Sequence, residues 1–184
     1  MRTVIVVMAL LLSPSLVAAP RALQAADSEI AFSVKQMGVA VSGRFTRYTA
    51  NIVLDPAKPE ASSASITVEI ASLSTGDEDA DAVAVDKPWL NQLGFPTATF
   101  KSQSVRSLAP GRYEAKGLLT IRGQSREIVV PFTTTERADK RTLISGGFTL
   151  KRADFGIGGG EWNEGDLVAA EVPVTFKLML APPR

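Results

Sequence analysis

The chain has 184 residues, 45% hydrophobic and 21% charged, which are the proportions of one ordinary globular domain rather than of a disordered chain. Its formal net charge is +1 and it has no dense block of Lys or Arg, so nucleic-acid binding is not expected. It contains no cysteine and no histidine, which excludes disulfides, thiol chemistry, His-ligated zinc and a His general base.

The N-terminus is typical of a secretory signal peptide. Arg2 provides a positive charge, residues 4–12 form an apolar run, and small residues follow. The run is far shorter than the roughly 20 residues of a membrane-spanning helix. We therefore expect a signal peptide at residues 1–26, and an uncleaved anchor is the alternative.

Cleavage is expected between residues 19 and 26, which leaves one domain at 27–184. Loss of Arg2 and Arg21 would leave 18 basic and 19 acidic side chains, a net charge of −1. A signal peptide without cysteines suits a bacterial protein exported to an oxidising compartment. The predicted location is therefore periplasmic or secreted.

Alternation of apolar and polar residues with period two recurs along the remaining chain, as in Val172, Val174 and Phe176. It predicts half-buried strands. About eight strands are predicted, near residues 28–36, 40–54, 62–73, 97–108, 111–122, 125–135, 141–154 and 166–180. Short links such as Pro110-Gly111 predict antiparallel neighbours in an all-β sandwich or barrel.

The second predicted strand changes its apolar face. Phe45 lies on one face by parity, whereas Tyr48 and Ile52 lie on the other. A bulge or sharp bend near Arg47 would redirect the side chains in this way.

The segment 74–96 interrupts the strand pattern and predicts a short helical insertion near residues 77–92. Acidic residues from Asp77 favour a helix start, and Pro88 would end the helix. An apolar cluster follows, formed by Trp89, Leu90, Leu93 and Phe95. We expect the insertion to cap one end of the barrel, because large aromatic side chains need burial. A mobile surface loop is the alternative.

The acidic run "DEDADAVAVDKP" resembles a calcium loop only at its start. Ala82 stands where the loop needs glycine, and Pro88 stands where it needs a bidentate Glu. We interpret the acidic residues as a helix start, and no metal site is predicted.

The stretch "DFGIGGGEW" at residues 154–162 contains the DFG tripeptide of kinases, but the companion motifs are missing. It also lacks the G-K-[ST] ending of a phosphate loop. We expect an irregular connection at a barrel end, with Phe155 and Trp162 packed over it. Lys151 and Arg152, just before it, are expected at a solvated strand end.

Several positions predicted to face inward are small: Ala98, Ala115, Gly117, Gly146 and Ala170. Small inward residues either leave space for a ligand or accommodate strand curvature. The sequence leaves both interpretations open.

Six stretches in register resemble the YceI-like family over about residues 28–180. They are "SEIAFSVKQMGVAVSGRF", "SASITVEIASLSTGDEDAD", "FPTATFKSQSV", "YEAKGLLTIRGQSREIVVPF", "FTLKRADFGIG" and "AAEVPVTFKLML". The chain departs from the family pattern at Gln36, where histidine is usual, and at "VAVDKPWLN". The ending "GIGGGEW" is similar to a subgroup associated with b-type cytochromes.

The resemblance implies an eight-stranded lipocalin-like barrel that binds a long isoprenoid lipid, either an isoprenoid quinone or a polyprenyl phosphate, without catalysis or cofactor. We expect a neutral head group, although Lys35, Arg44 or Arg47 would suit a phosphate. The residues expected to line the cavity are Phe32, Val34, Phe45, Ile66, Val68, Trp89, Phe95, Phe100, Leu119, Phe148, Phe155 and Phe176.

Two alternatives stay open for function. One is a non-catalytic partner module of a membrane b-type cytochrome, with a filled barrel. The other is a carboxylate-dependent lipid-modifying enzyme that uses Asp154, Glu161 and Glu164. The oligomeric state is open between monomer and homodimer.

Overall fold

A computed structural model describes residues 19–159 and 167–183. Its ten strands are β1 Glu29–Gln36, β2 Val39–Phe45, β3 Tyr48–Val53, β4 Ser63–Glu69, β5 Leu73–Ser74, β6 Thr97–Ala109, β7 Arg112–Ile121, β8 Gln124–Glu136, β9 Thr142–Lys151 and β10 Glu171–Leu180. The described residues contain one α-helix, α1 Glu78–Val85, and 3₁₀ turns occur at Ala25–Asp27, Pro59–Ala61, Ile70–Ser72 and Arg152–Phe155. No helix in the described ranges is long and apolar enough to cross a membrane.

The strands form one sheet in the order β3-β4-β6-β7-β8-β9-β10-β1-β2-β5, and every pair is antiparallel. The sheet curls into a lipocalin-like barrel, so the all-β prediction is confirmed. Strand β10 begins at Glu171 rather than near residue 166, because the preceding described residues form only an isolated bridge, between Gln36 and Val168.

Two predicted strands are each divided at one shared corner, which raises the strand number to ten. The chain leaves β2 after Phe45 and enters β3 at Tyr48, while the turn Ile70–Ser72 separates β4 from β5. Thr46 N donates to Ser72 O at 3.0 Å, and Glu69 N donates to Arg47 O at 3.0 Å. The bend predicted near Arg47 is therefore confirmed, and it redirects the apolar face of the strand.

One end of the barrel, here called the packed end, is filled by apolar side chains with 8% exposure or less. They are Ile30, Ile52, Leu54, Ile144, Leu178 and Leu180. The chain before β1 also belongs to this end, because Arg21 bridges to Ile52 and its side chain donates to Ala181 O. Leu23 likewise bridges to Leu180. A cut at the later end of the predicted cleavage range would remove these contacts.

The opposite end, here called the lid end, carries α1 and the segment 86–95. Asp77 caps the helix by accepting from Asp79 N and Ala80 N. Asp81 accepts from the backbone N and the hydroxyl of Thr75, both at 2.7 Å. The acidic run therefore starts and anchors a helix, as predicted. No residue of α1 is buried.

Candidate functional site

A cavity of about 550 Å³ lies inside the barrel. Its size falls within the range of small-molecule sites, about 300–1,000 Å³. Strands on all sides contribute apolar side chains, since alternate residues of each strand point inward. Seven described lining residues have polar side chains: Gln36, Ser62, Ser63, Thr75, Asp79, Thr99 and Arg152. The cavity is therefore a predominantly apolar space.

The structure brings ten of the twelve predicted residues together around this cavity. They are Phe32, Val34, Phe45, Ile66, Val68, Trp89, Phe100, Leu119, Phe148 and Phe176. Most are only partly buried, because their inner faces border the empty space. Their contact with a ligand stays a prediction.

Phe95 and Phe155 do not line the cavity. Phe155 is 2% exposed and packs with Leu119 and Ile121, whose side chains line the cavity, so it lies inside the barrel at the lid end, and its burial agrees with the predicted packing over that end. The Phe95 ring lies against the β7–β8 turn, where its Cε1 is 2.9 Å from the position that a Cβ of Gly123 would occupy. Leu93, expected in the same apolar cluster, is 94% exposed. Strand parity does not extend into these irregular segments.

The small inward residues serve both purposes that the sequence left open. Ala98 and Ala115 line the cavity and leave space. Gly146 lies under an aromatic ring, since a Cβ there would be 2.6 Å from Phe176 Cζ. A Cβ on Gly117 would be 2.4 Å from Lys101 O, beside a register shift in β6. These two glycines therefore permit close approach, which is required where a sheet curves tightly.

The fifth small residue, Ala170, is exposed and precedes β10, so it does not face the cavity. A similar arrangement of an aromatic ring over a glycine occurs on the neighbouring strands β1 and β2, since β1 pairs with β10. There Phe32 is paired with Gly43, and its Cζ is 2.4 Å from the position of a Cβ on that glycine. Aromatic rings thus lie over glycines at two neighbouring places in the cavity wall.

Arg152 is buried at the lid end, and the expectation that it lies at a solvated strand end is wrong. Its side chain is 2% exposed and borders the cavity, whereas Lys151 is exposed. The guanidinium donates from Nε to Ala169 O at 3.1 Å and from Nη2 to Val168 O at 3.0 Å. Nη1 donates to Ile157 O and Gly158 O, at 3.1 and 2.8 Å.

These carbonyl groups make the buried cation tolerable, because a buried charge needs compensating polar partners. Burial lowers the pKa of the Arg152 guanidinium. Its Cζ lies 6.0 Å from the centroid of the Trp89 ring, so a cation–π contact joins the guanidinium to the lid segment. Sequence reasoning missed this role because the partners are backbone groups of a turn, which no side-chain pattern reveals.

A second arginine fastens the lid from outside. Arg122, in the β7–β8 turn, donates to Lys87 O at 3.2 Å and also to Gly156 O. Gly158 N donates to Pro88 O at 2.9 Å. The start of "DFGIGGGEW" is therefore a 3₁₀ turn and connection at the barrel end, as predicted, and Trp162 lies outside the described residues.

Polar side chains border the cavity at its lid end. Gln36, Thr75 and Asp79 border it there, together with Arg152. None of Lys35, Arg44 and Arg47 lines the cavity, and Arg47 forms an ion pair with Glu69 at 2.6 Å. Among the residues that the structure describes, the charged side chains that line the cavity are thus one carboxylate and one guanidinium.

The carboxylates proposed for catalysis do not meet in the cavity among the described residues. Asp154 is exposed and does not line it. Glu161 and Glu164 lie outside the described residues. Asp79 is the one carboxylate among the described lining residues, whereas acid–base chemistry on a lipid would need two convergent groups.

Comparison with known proteins identifies the family. The sequence model of the YceI-like domain matches residues 22–180. This chain belongs to the YceI-like family. A UPF0312 protein of Vibrio cholerae is 30% identical over 138 residues, which are 72% of this chain and 73% of that protein. A UPF0312 protein of Pseudomonas savastanoi is 31% identical over 134 residues, 70% of each chain.

Solved structures show the same YceI-like fold. BcnA of Burkholderia cenocepacia superposes with a TM-score of 0.83 at 31% identity, covering 86% of this chain and 99% of BcnA. A polyisoprenoid binding domain from Saccharophagus degradans superposes with a TM-score of 0.71, covering 90% of this chain and 99% of that domain. Its identity is 17%, so this likeness concerns the fold alone.

Proposed function

We propose that this YceI-like protein binds and carries a long isoprenoid lipid, an isoprenoid quinone or a polyprenyl phosphate, in its barrel cavity. The observation that carries the proposal is the cavity of about 550 Å³ with its apolar lining. The polyisoprenoid binding of the Saccharophagus domain supports the same ligand class. The signal-like N-terminus supports a role in the periplasm, where such a lipid has to cross water.

The physical reason is the cost of exposing an isoprenoid tail to water. Burial of apolar surface contributes about 25 cal/mol per Å², and a long tail has hundreds of Å² to bury. The cavity lining offers that burial without any covalent step, so the protein acts by binding. We expect the head group at the lid end, where the polar side chains of Gln36 and Thr75 border the cavity, and the tail toward the packed end.

A filled barrel that works only through its outer surface is the weaker candidate. That function needs an interior packed by side chains, whereas the described residues enclose open volume. Partnership with a membrane b-type cytochrome stays a prediction, and it is compatible with a lipid carrier.

A blocked cavity tests the proposal. In Ala98→Trp the indole would occupy the cavity, while Thr97→Trp places the same side chain on the exposed face of β6. The delipidated proteins are titrated with an isoprenoid quinone and, separately, with a polyprenyl phosphate, and native mass spectrometry counts the bound lipid. We expect the unmodified protein and Thr97→Trp to bind at least one of them, and Ala98→Trp to bind at least about tenfold more weakly. Absence of binding to the unmodified protein, or equal binding by Ala98→Trp, would overturn the proposal.

A further inference from the structure

The cavity has two unlike ends along the barrel axis. At the lid end it is bordered by Gln36, Thr75, Asp79 and Arg152. At the packed end it is bordered by Ile30, Ile52, Leu54, Ile144 and Leu178, which are all 8% exposed or less, and by the small hydroxyl side chains of Ser62 and Ser63. A ligand tail that enters from the lid end therefore meets a dense and predominantly apolar floor.

Phe132 lies where two parts of that floor meet. It packs against the cluster of the packed end and also against the neighbouring cluster of Val105, Tyr113 and Ala115. Its ring is stacked on Tyr113 with centroids 5.4 Å apart and planes at 22°. Tyr113 is itself 5% exposed, so the Phe132 ring has a rigid support on that side.

The other side of the Phe132 ring borders the cavity. Phe132 is only partly buried, unlike the residues behind it, because it is in contact with the empty space. In the sheet Phe132 is paired with Gly146, where a Cβ would be 3.0 Å from Phe132 Cβ. The backbone at Gly146 thus limits the position of the Phe132 side chain, and the Tyr113 ring fixes the orientation of the Phe132 ring.

We propose that Phe132 is a specificity-determining residue that sets the depth of the cavity and thereby the isoprenoid tail length that the protein prefers. The inference rests on the proposed function. A tail shorter than the available depth leaves apolar volume unfilled, and a longer tail leaves apolar surface in water at the lid end. Both cost free energy, because close packing and apolar burial are lost. The preferred tail is the one that reaches the Phe132 ring.

Two substitutions change the depth in opposite directions. Phe132→Ala removes a ring about as large as one isoprene unit, so the floor recedes. Ala115→Leu adds a branched side chain on β7, at a position that is 6% exposed and borders the same end of the cavity. Phe95→Ala removes an identical ring outside the cavity lining and is the matched control.

The experiment is a competition within one sample. Each purified protein is incubated with an equimolar mixture of isoprenoid quinones that share one head group and differ by one isoprene unit at a time. Unbound quinone is removed, and mass spectrometry measures the ratios of the bound homologues. Ratios within one sample do not depend on the folded fraction, so a partly unfolded variant still reports its preference.

We expect Phe132→Ala to move the preferred tail about one isoprene unit longer and Ala115→Leu to move it shorter. The ratio of adjacent homologues should change about tenfold, while Phe95→Ala keeps the distribution of the unmodified protein. Unchanged ratios in Phe132→Ala and Ala115→Leu, with quinone still bound, would overturn the depth-setting role alone. If the unmodified protein binds neither quinone nor polyprenyl phosphate, the result would count against the proposed function itself.

Discussion

Arg152→Met should destabilise the lid end strongly. Methionine retains an unbranched apolar side chain but has no donors, so four backbone carbonyl groups lose their hydrogen bonds to the guanidinium. A buried acceptor left without a partner costs about 1–3 kcal/mol. Because the lid end adjoins solvent, water will satisfy part of this demand, and we use the lower limit for each carbonyl.

The expected loss is then about 4 kcal/mol in the free energy of unfolding. For a chain of this length, each kcal/mol lowers Tm by about 2–4 °C, so Tm should fall by roughly 8–16 °C. The gain from no longer burying a charge opposes this loss, but the carbonyl groups of Gly158 and Val168 remain buried after the substitution. The penalty of the unpaired carbonyl groups would disappear only if the guanidinium and the carbonyl groups were both replaced by apolar groups.

Thermal unfolding followed by circular dichroism measures the effect, and Lys151→Met is the matched control. Lys151 is exposed, so its substitution should change stability by no more than about 0.5 kcal/mol. Arg152→Lys should lie between the two, since one ammonium reaches fewer of the carbonyl groups. Equal Tm values for Arg152→Met and Lys151→Met would refute the role of Arg152 as the buried fastening of the lid end.

Two further predictions concern the cavity wall and the packed end. Gly117→Ala should cost about 1–3 kcal/mol in thermal unfolding, because its Cβ would lie 2.4 Å from the backbone oxygen of Lys101, whereas Gly159→Ala meets nothing within 4 Å; equal stability of the two variants would contradict the wall geometry. The side-chain hydrogen bond from Arg141 lowers the folded-state pKa of Asp139. The stabilisation of the folded state by this pair is therefore fully present above the unfolded-state pKa of Asp139 and is lost as pH falls through the folded-state pKa. NMR titration should give a pKa for Asp139 below its usual value, and Arg141→Gln should return this pKa toward the usual value. The same pKa of Asp139 in Arg141→Gln and in the unmodified protein would contradict the pairing.

The strands and the inward positions within them were predictable because alternation is a local property of the sequence. Phe32, Val34 and Phe176 lie on regular strands, and the period of two fixes their side. The bend near Arg47 was predictable for the same reason, since a change of apolar face within one run requires an irregularity.

The lid end shows where local pattern stops being informative. Arg152 was expected at a solvated strand end as a surface basic residue, but the chain turns into a 3₁₀ helix at that residue and the side chain is buried beside the cavity. Phe155, in the same turn, packs against Leu119 and Ile121 at the barrel end without lining the cavity itself. Backbone carbonyl groups up to 17 residues away decide the position of Arg152. The division of the second and third predicted strands likewise depends on hydrogen bonds between segments about 20 residues or more apart, which no short window contains.

The most direct test of the central claim is to identify what the cavity holds in cells. The full chain, with its own N-terminal segment, is produced in a bacterial host, purified without detergent, extracted with organic solvent and analysed by mass spectrometry, beside Ala98→Trp and Thr97→Trp. We predict an isoprenoid quinone or polyprenyl phosphate in near-equimolar amount with the unmodified protein and Thr97→Trp, and its loss from Ala98→Trp. An extract without isoprenoid lipid, or equal amounts in all three proteins, would contradict the account.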